Sequence, residues 1–500
     1  MTDMAGSLYA ARSADDCGDG RGGFEDEFVA ALLSGGDSRL AIDPRTGANK
    51  YLCRPTPARD LVCASSCTAS PISEQSFRRA ADLHASLVAG RSPGERADAL
   101  ERCAHDLEAR LLTYFGANGL AEAILCPSGT DALQTATLLV GLERPDEKMT
   151  AILPQTSETG TGVPLAATLR PFDLPAASDV PLADCAAGSI AIPLRTEDGV
   201  PRSDDAVMEG FAFAVAGVKG RPVVYLTHGT KTGLIAPVEP PDGVDVIIDA
   251  CQGRIEPATV VRYLRSGWPV VVTGSKFFGG PAFSGAVLFP SARLADARLA
   301  DARLAGARLA GARLADARLA DARLADARLA DARLADARHG IVPELRRRMD
   351  QARSSAGNIG MLLRWSAALD AIEAFAPLAD TASERLRTHG AAIEQGLGRI
   401  ATLVPVAGLS NGGSGWSGVP TIFTFAVRDP ADRQRLLTAS ELRPIYTRLA
   451  NNGVLLGQPV GLGRFGGLRI AIGARDVLDG APARAGLPLL FAALDAATRA

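Results

Sequence analysis

The sequence predicts an α/β fold with a mostly parallel sheet, joined to a smaller α+β C-terminal domain. Three observations carry this. Short apolar runs alternate with helical patterns from about residue 120 to 290, the mark of strand–helix–strand units. Those runs are nearly unbroken apolar stretches, as in Val244-Asp-Val-Ile-Ile and Val270-Val-Val-Thr273, which suits strands covered on both faces. From residue 380 to 500 helix and strand patterns mix without regular alternation.

Composition sets the outer limits. Of 500 residues, 47% are hydrophobic and 22% charged, enough for a substantial core in two or three domains. A net charge of −3 argues against a nucleic-acid partner. No apolar run approaches the roughly 18 residues that cross a bilayer, and Met1-Thr-Asp-Met-Ala-Gly has no basic-then-apolar leader pattern. A cytoplasmic protein is expected. Cys17, Cys53, Cys63, Cys67, Cys103, Cys126, Cys185 and Cys251 form no CxxC pair or zinc spacing, so reduced thiols are expected, with a reactive thiol at Cys63 or Cys67 as the alternative.

Residues 1–73 form an N-terminal segment whose first fifty are rich in Gly and Asp and are expected to be irregular. A large domain over 74–290 begins with helices from Ser73, a candidate N-cap, to residue 115, broken at Ser92-Pro-Gly. Strands are predicted at 123–127, 149–153, 189–193, 222–226, 244–248, 270–273 and 285–289, with a helix over 130–141. Residues 291–338 hold nine tandem Ala-Arg-Leu-Ala-Asp units, with Gly at 306 and 311. Five residues advance about 500° around a helix, so successive leucines turn away by roughly 140° and cannot form one apolar stripe. The repeat therefore reads as a surface insertion. A connecting helix is predicted within 339–379, then a C-terminal domain over 380–500 with a helix at 388–400 and strands at 420–427 and 468–472.

Chemistry concentrates at strand ends. The chain has five lysines, Lys50, Lys148, Lys219, Lys231 and Lys276. Only Lys276 follows a buried-looking strand and precedes a glycine-rich turn, Phe277-Phe-Gly-Gly-Pro281. Asp249 ends an earlier strand, where ligands bind in open α/β sheets. A strand-end Asp and a strand-end Lys suit pyridoxal phosphate (PLP): the lysine amine forms an imine with the cofactor, and the carboxylate keeps its ring nitrogen protonated. Asp249 would serve equally as the N-cap of a following helix. Gln252 can donate to the cofactor's phenolic oxygen. Ser128-Gly129-Thr130 stands between a strand and a helix, where free N–H groups and the helix dipole favour a phosphate, although any N-capped helix reads similarly. Thr273 and Ser275 place two more hydroxyls beside Lys276.

Taken together, these motifs resemble the fold-type I PLP-dependent enzymes, in particular the class V aminotransferase and cysteine desulfurase group. The resemblance covers about residues 120 to 290 and rests on Ser128-Gly129-Thr130, the loop Thr227-His228-Gly-Thr-Lys-Thr-Gly233, Asp249-Ala-Cys-Gln252 and Thr273-Gly-Ser275-Lys276. It implies a PLP-dependent transferase fold, a homodimer with active sites at the subunit interface, and a cofactor role for His228. It also implies a C-terminal arginine for the substrate carboxylate. Arg469, in Gly466-Gly-Leu-Arg-Ile-Ala-Ile472, is the match, with a structural ion pair as its alternative. Asn358 is a weaker candidate for the substrate pocket.

Two departures shape the expected function. The loop Pro154–Gly162 carries no ring to stack on the cofactor. Every cysteine lies at or before 251, which leaves desulfuration without a C-terminal thiol unless Cys53, Cys63 or Cys67 supplies it. An aminotransferase acting on an amino acid is therefore the first expectation. A PLP-dependent lyase that eliminates at Cβ or cleaves C–S is the second, and a non-catalytic binding or regulatory protein the third.

Overall fold

The structure is a computed structural model, and it describes residues 21–58, 61–144, 147–170, 186–235, 239–296, 358–408, 415–480 and 485–499. Of the pentapeptide run only its first unit, in a helix over 291–296, is described; the remainder of the expected insertion and residues 339–357 lie outside.

The N-terminal segment departs from expectation. Helix α1 (Arg21–Leu33) occupies part of it, because Phe28 and Leu32, four residues apart, bury against Ile72, Ala80 and Leu363. A 3-10 turn at Ser38–Leu40 follows, capped by Asp37, and then strand β1 (Val62–Ala64). Helices α2 (Glu74–Val88) and α3 (Pro93–Phe115) start at Ser73 and Ser92. Ser92 completes a capping box with Glu95 and has Pro93 behind it, satisfying N–H groups that have no helical partner.

The large sheet contains β2 (Ala121–Cys126), β3 (Met149–Pro154), β4 (Ala186–Ile192), β5 (Arg221–Thr227), β6 (Asp245–Ala250), β7 (Val270–Thr273) and β8 (Gly285–Pro290). Its order is β2-β8-β7-β6-β5-β3-β4. Only β8 runs antiparallel to its neighbours; β4, β3, β5, β6 and β7 pair in parallel. Between the strands lie α4 (Gly129–Glu143), α5 (Val163–Ala167), α6 (Asp204–Gly217) and α7 (Pro257–Arg265), and α8 (Ser291–Asp296) follows β8. Alternate residues enter opposite cores: Val246 and Ile248 join one cluster, Ile247 the other. Burial on both faces accounts for the unbroken apolar runs.

Helix α9 (Ile359–Phe375) links the two domains and is almost wholly buried. The C-terminal domain has α10 (Ala379–Gly398), β9 (Leu403–Pro405), β10 (Ile422–Val427), α11 (Leu442–Asn451), β11 (Val454–Leu462), β12 (Phe465–Ala471), α12 (Ala474–Asp479) and α13 (Leu487–Arg499). Its sheet order is β1-β11-β12-β10-β9. The outermost strand comes from the N-terminal segment: Val62, Cys63 and Ala64 pair in parallel with Val454, Leu455 and Leu456. Cys53, Cys63, Cys67, Cys103, Cys126 and Cys251 are free thiols. No helix among the described residues is long and apolar enough to cross a membrane.

Candidate active site

Parallel strands release their chains at one edge of the sheet, and the chemistry-bearing residues collect there. Asp249 on β6 lies beside Val271 on β7 and Thr227 on β5. Lys276 follows β7 by three residues and is half-buried. Ser128 precedes α4 at the end of β2, across β8 from β7.

Cys251 is where these motifs meet. Its N–H donates to Asp249 Oδ1 at 3.0 Å, and its carbonyl accepts from Thr273 Oγ1 at 2.6 Å. A Cβ added at Gly129 would lie 2.8 Å from Cys251 Sγ and 2.9 Å from Thr273 Cγ2. Only glycine permits this approach of α4 to β6 and β7. Burial pushes the Cys251 thiol well above its usual range; Asp249 adds to this, and Lys276 opposes it. The Ser128–Thr130 turn and Asp249 thus meet at Cys251, and the charge of Lys276 is felt at the same thiol.

The alternatives left by the sequence separate here. The helix after Asp249 is capped at Glu256, so Asp249 is not an N-cap; it is buried within β6. Ser128 is the N-cap of α4. Its hydroxyl donates to Asp131 Oδ2 at 2.6 Å and accepts from Arg39 Nη2 at 3.1 Å, while Arg39 Nη1 donates to Thr130 Oγ1 at 3.2 Å. Arg39 therefore brings a guanidinium to the Ser128–Thr130 turn, from a segment expected to be irregular. Its guanidinium is held in place by Asp37.

Arg469 is buried on β12, opposite Thr424 on β10 and Gly457 on β11. It donates to the carbonyls of Lys231 at 2.8 Å and Gln458 at 2.6 Å and to Thr68 Oγ1 at 3.1 Å. A register shift between Gly457 and Val460 accompanies the Gln458 contact. Arg469 Nε is buried and has no hydrogen-bond partner among the described residues. No carboxylate there pairs with it, which removes the structural ion pair.

Several of the expected residues have partners within the fold. The Thr273 hydroxyl gives its proton to Cys251 O and has none left for a phosphate. Gln252 Nε2 donates to Cys67 O at 3.2 Å, and its Oε1 accepts from Arg254 at 3.0 Å. His228 Nδ1 meets Tyr263 Oη at 2.9 Å, and burial, reinforced by Arg262, lowers the imidazole pKa to about 4. It is a neutral ring packed on α7. Asn358 is the N-cap of α9, accepting from Met361 N and donating to Gly35 O, both at 2.9 Å. It ties the N-terminal segment to α9. Ser275 is buried beside Lys276.

Three residues gain importance from the structure. Thr227 Oγ1, at the end of β5 next to Asp249, is buried without a partner among the described residues. Lys231 is half-buried in the loop after β5, its amine donating to Thr156 O in the loop after β3. Burial, then Arg469, brings its pKa down to about 8, against the pull of Glu158. Arg254 is fully enclosed, donating to Thr421 Oγ1, Gln252 O and Oε1, Ser66 Oγ and Ile472 O.

The fold is shared with solved structures of PLP-dependent enzymes of fold type I. One similar solved structure is a cystine C–S lyase, C-DES, in complex with cysteine persulfide: 14% identity, 87% of this chain and 98% of that one, TM-score 0.53. Another is an apo cysteine desulfurase from Thermococcus onnurineus NA1: 12% identity, 87% and 95% coverage, TM-score 0.52. A family model described as Pentapeptide repeats matches residues 292–331 in 8 copies. No curated protein matches the sequence.

Proposed function

We propose that this chain is a PLP-dependent enzyme acting on an α-amino acid, with elimination at Cβ, including C–S cleavage, as its reaction. The carrying observation is the meeting of Gly129, Asp249 and Lys276 around Cys251 at the carboxyl edge of the sheet. The residues present suit the cofactor. Asp249 is a buried carboxylate, and Thr227 Oγ1 and Arg469 Nε are buried polar atoms awaiting partners. Arg254, Lys276 and Arg469 have no ion-pairing carboxylate among the described residues, as a site for anions requires.

When bound, PLP supplies an electron sink that stabilises negative charge at the substrate Cα. Asp249 favours the protonated ring nitrogen on which that sink depends. The first-turn N–H groups of α4, with Arg39 beside them, would hold the phosphate. Lys276 would hold the cofactor through its amine and would supply the base for the Cα proton. Arg469 binds the α-carboxylate, using Nε. The same residues would serve transamination, the reaction first expected. Elimination is preferred because two similar structures with TM-scores above 0.5 are a C–S lyase and a desulfurase. With Cys251 as the last cysteine, release of sulfur without a C-terminal thiol relay is the form preferred. A homodimer is proposed with it.

Purified protein supplied with PLP should absorb at about 410–430 nm, as a protonated imine does, and Lys276→Ala should lose the band. Retention of the band in that variant would move the attachment to another lysine, and its absence from wild type would end the proposal. Amino acids supplied singly should then release ammonia without a keto-acid acceptor. Turnover that requires an acceptor would return the reaction to transamination.

A further inference from the structure

The crevice has more cationic groups than one amino-acid carboxylate needs. Along the sheet edge, Lys276 follows β7, Asp249 lies one residue from the end of β6, and Lys231 follows β5. Lys231 is therefore placed one strand beyond the acid, on the side away from the attachment lysine. Its carbonyl accepts from Arg469 Nη1 at 2.8 Å, which fixes the loop against the arginine assigned to the α-carboxylate. Its amine reaches the exposed Thr156 of the loop after β3 and makes one hydrogen bond with its three protons.

Nothing in the described surroundings neutralises it. No carboxylate lies within ion-pairing distance of Lys231. The nearest buried acid, Glu158, is engaged by Arg195 Nε at 2.7 Å and by the Thr232 hydroxyl. A half-buried ammonium beside a buried guanidinium is unfavourable until an anion enters. An α-carboxylate offers Arg469 its partner and leaves Lys231 without one.

We infer that the substrate carries a second anionic group on its side chain, a carboxylate or sulfur oxyanion beyond Cβ, and that Lys231 binds it. This rests on the proposed function and narrows its substrate class. Lys231 is here a specificity residue beside Arg469, and the loop after β3 carries the acceptor that aims its amine.

Unreactive acids test this apart from turnover. PLP-loaded protein is titrated calorimetrically with succinate and with butanoate, which share a chain length, lack an amine and differ by one carboxylate. Succinate should bind at least about tenfold more tightly, the worth of one charge-assisted hydrogen bond. Lys231→Met should remove that preference, and Lys231→Arg should keep it. Both variants should retain the band near 420 nm (about the imine range), which reports an intact site. Equal binding of the two acids by wild type, or a preference surviving in Lys231→Met, would overturn the inference while leaving the PLP assignment standing. Loss of the band in Lys231→Met but not in Lys231→Arg would place Lys231 on the cofactor and also overturn it. Failure of wild type to form the band sinks the proposed function itself.

Discussion

Arg469 Nη1 donates to the carbonyl oxygen of Lys231 at 2.8 Å, joining a strand of the C-terminal domain to the loop after β5 of the large domain. The bond leaves both cationic groups without a carboxylate and makes their separation depend on the fit between domains.

This pair predicts a pH dependence. The Lys231 pKa is lowered from the ordinary 10.5 to about 8, first by burial and then by Arg469 and Lys276, with Glu158 opposing. Below about 8 the amine is charged and the proposed acid site is intact. Succinate affinity should fall as pH rises through that value, and in Lys231→Arg it should not. For stability the sign is the reverse. Between about 8 and 10.5 the unfolded chain holds a proton the folded chain has lost, so this group's contribution to stability rises with pH. Calorimetric titrations at pH 7 and pH 9 (about one unit either side of the transition) check the binding claim.

Gly129→Ala should weaken PLP binding by about tenfold or more, because the new methyl meets Cys251 Sγ at 2.8 Å and Thr273 Cγ2 at 2.9 Å. A second change, Cys251→Ala, should recover part of the loss by removing the thiol. A spectroscopic titration with PLP measures both. Unaltered affinity in the single variant would show that α4 can shift without harm to the phosphate turn.

Arg254→Met should lower the denaturation midpoint, at a cost of about 2–4 kcal/mol. The guanidinium joins Ser66, Gln252, Thr421 and Ile472, so its loss strands the Gln252 and Ile472 carbonyls. Urea unfolding followed by tryptophan fluorescence reads the shift, and an unchanged midpoint would mean that water replaces all of these bonds.

Glu158→Ala should be costlier, about 3–5 kcal/mol. Glu158 is wholly buried and the Arg195 side chain is 3% exposed, so the variant leaves a guanidinium without its counter-ion. Arg195→Met added to it should restore some stability. A double variant less stable than Glu158→Ala alone would argue against the ion pair as the source of the loss.

Local signals made much of the fold legible. Ser73 and Ser92-Pro-Gly marked two helix starts because capping is written in adjacent residues, and the apolar runs of β5 through β8 marked strands because both faces are covered. The orientation of the phosphate turn, Asp249 and Lys276 followed from the strand ends on which they sit. What escaped depends on distant partners. Helix α1 lies in Gly- and Asp-rich surroundings and becomes apolar only where Phe28 and Leu32 meet Leu363. Arg39 and Arg254 carry no motif; their roles come from side chains far along the chain. His228 and Asn358 fit a motif or a loop by position, yet Tyr263 engages one and Gly35 the other. The lysine count that singled out Lys276 held a further clue in Lys231, whose placement after a strand end was equally visible.

Strand β1 gives the molecule a dependence on its own completion. The residues just after it reach Gln252, Arg254 and Arg469, and Thr68 and Arg469 are 401 positions apart in the chain. A loop that long closes late, after local structure has formed. An elongating chain that has passed Lys276 can have Asp249 and Lys276 in place while one wall of the candidate site still lacks a strand to lie against. Tight capture of the proposed cofactor would then distinguish a finished polypeptide from one halted before Val454, and trimming the first seventy or so residues (roughly the span before α2, where an edge strand enters the sheet) would open the candidate site rather than remove a tail.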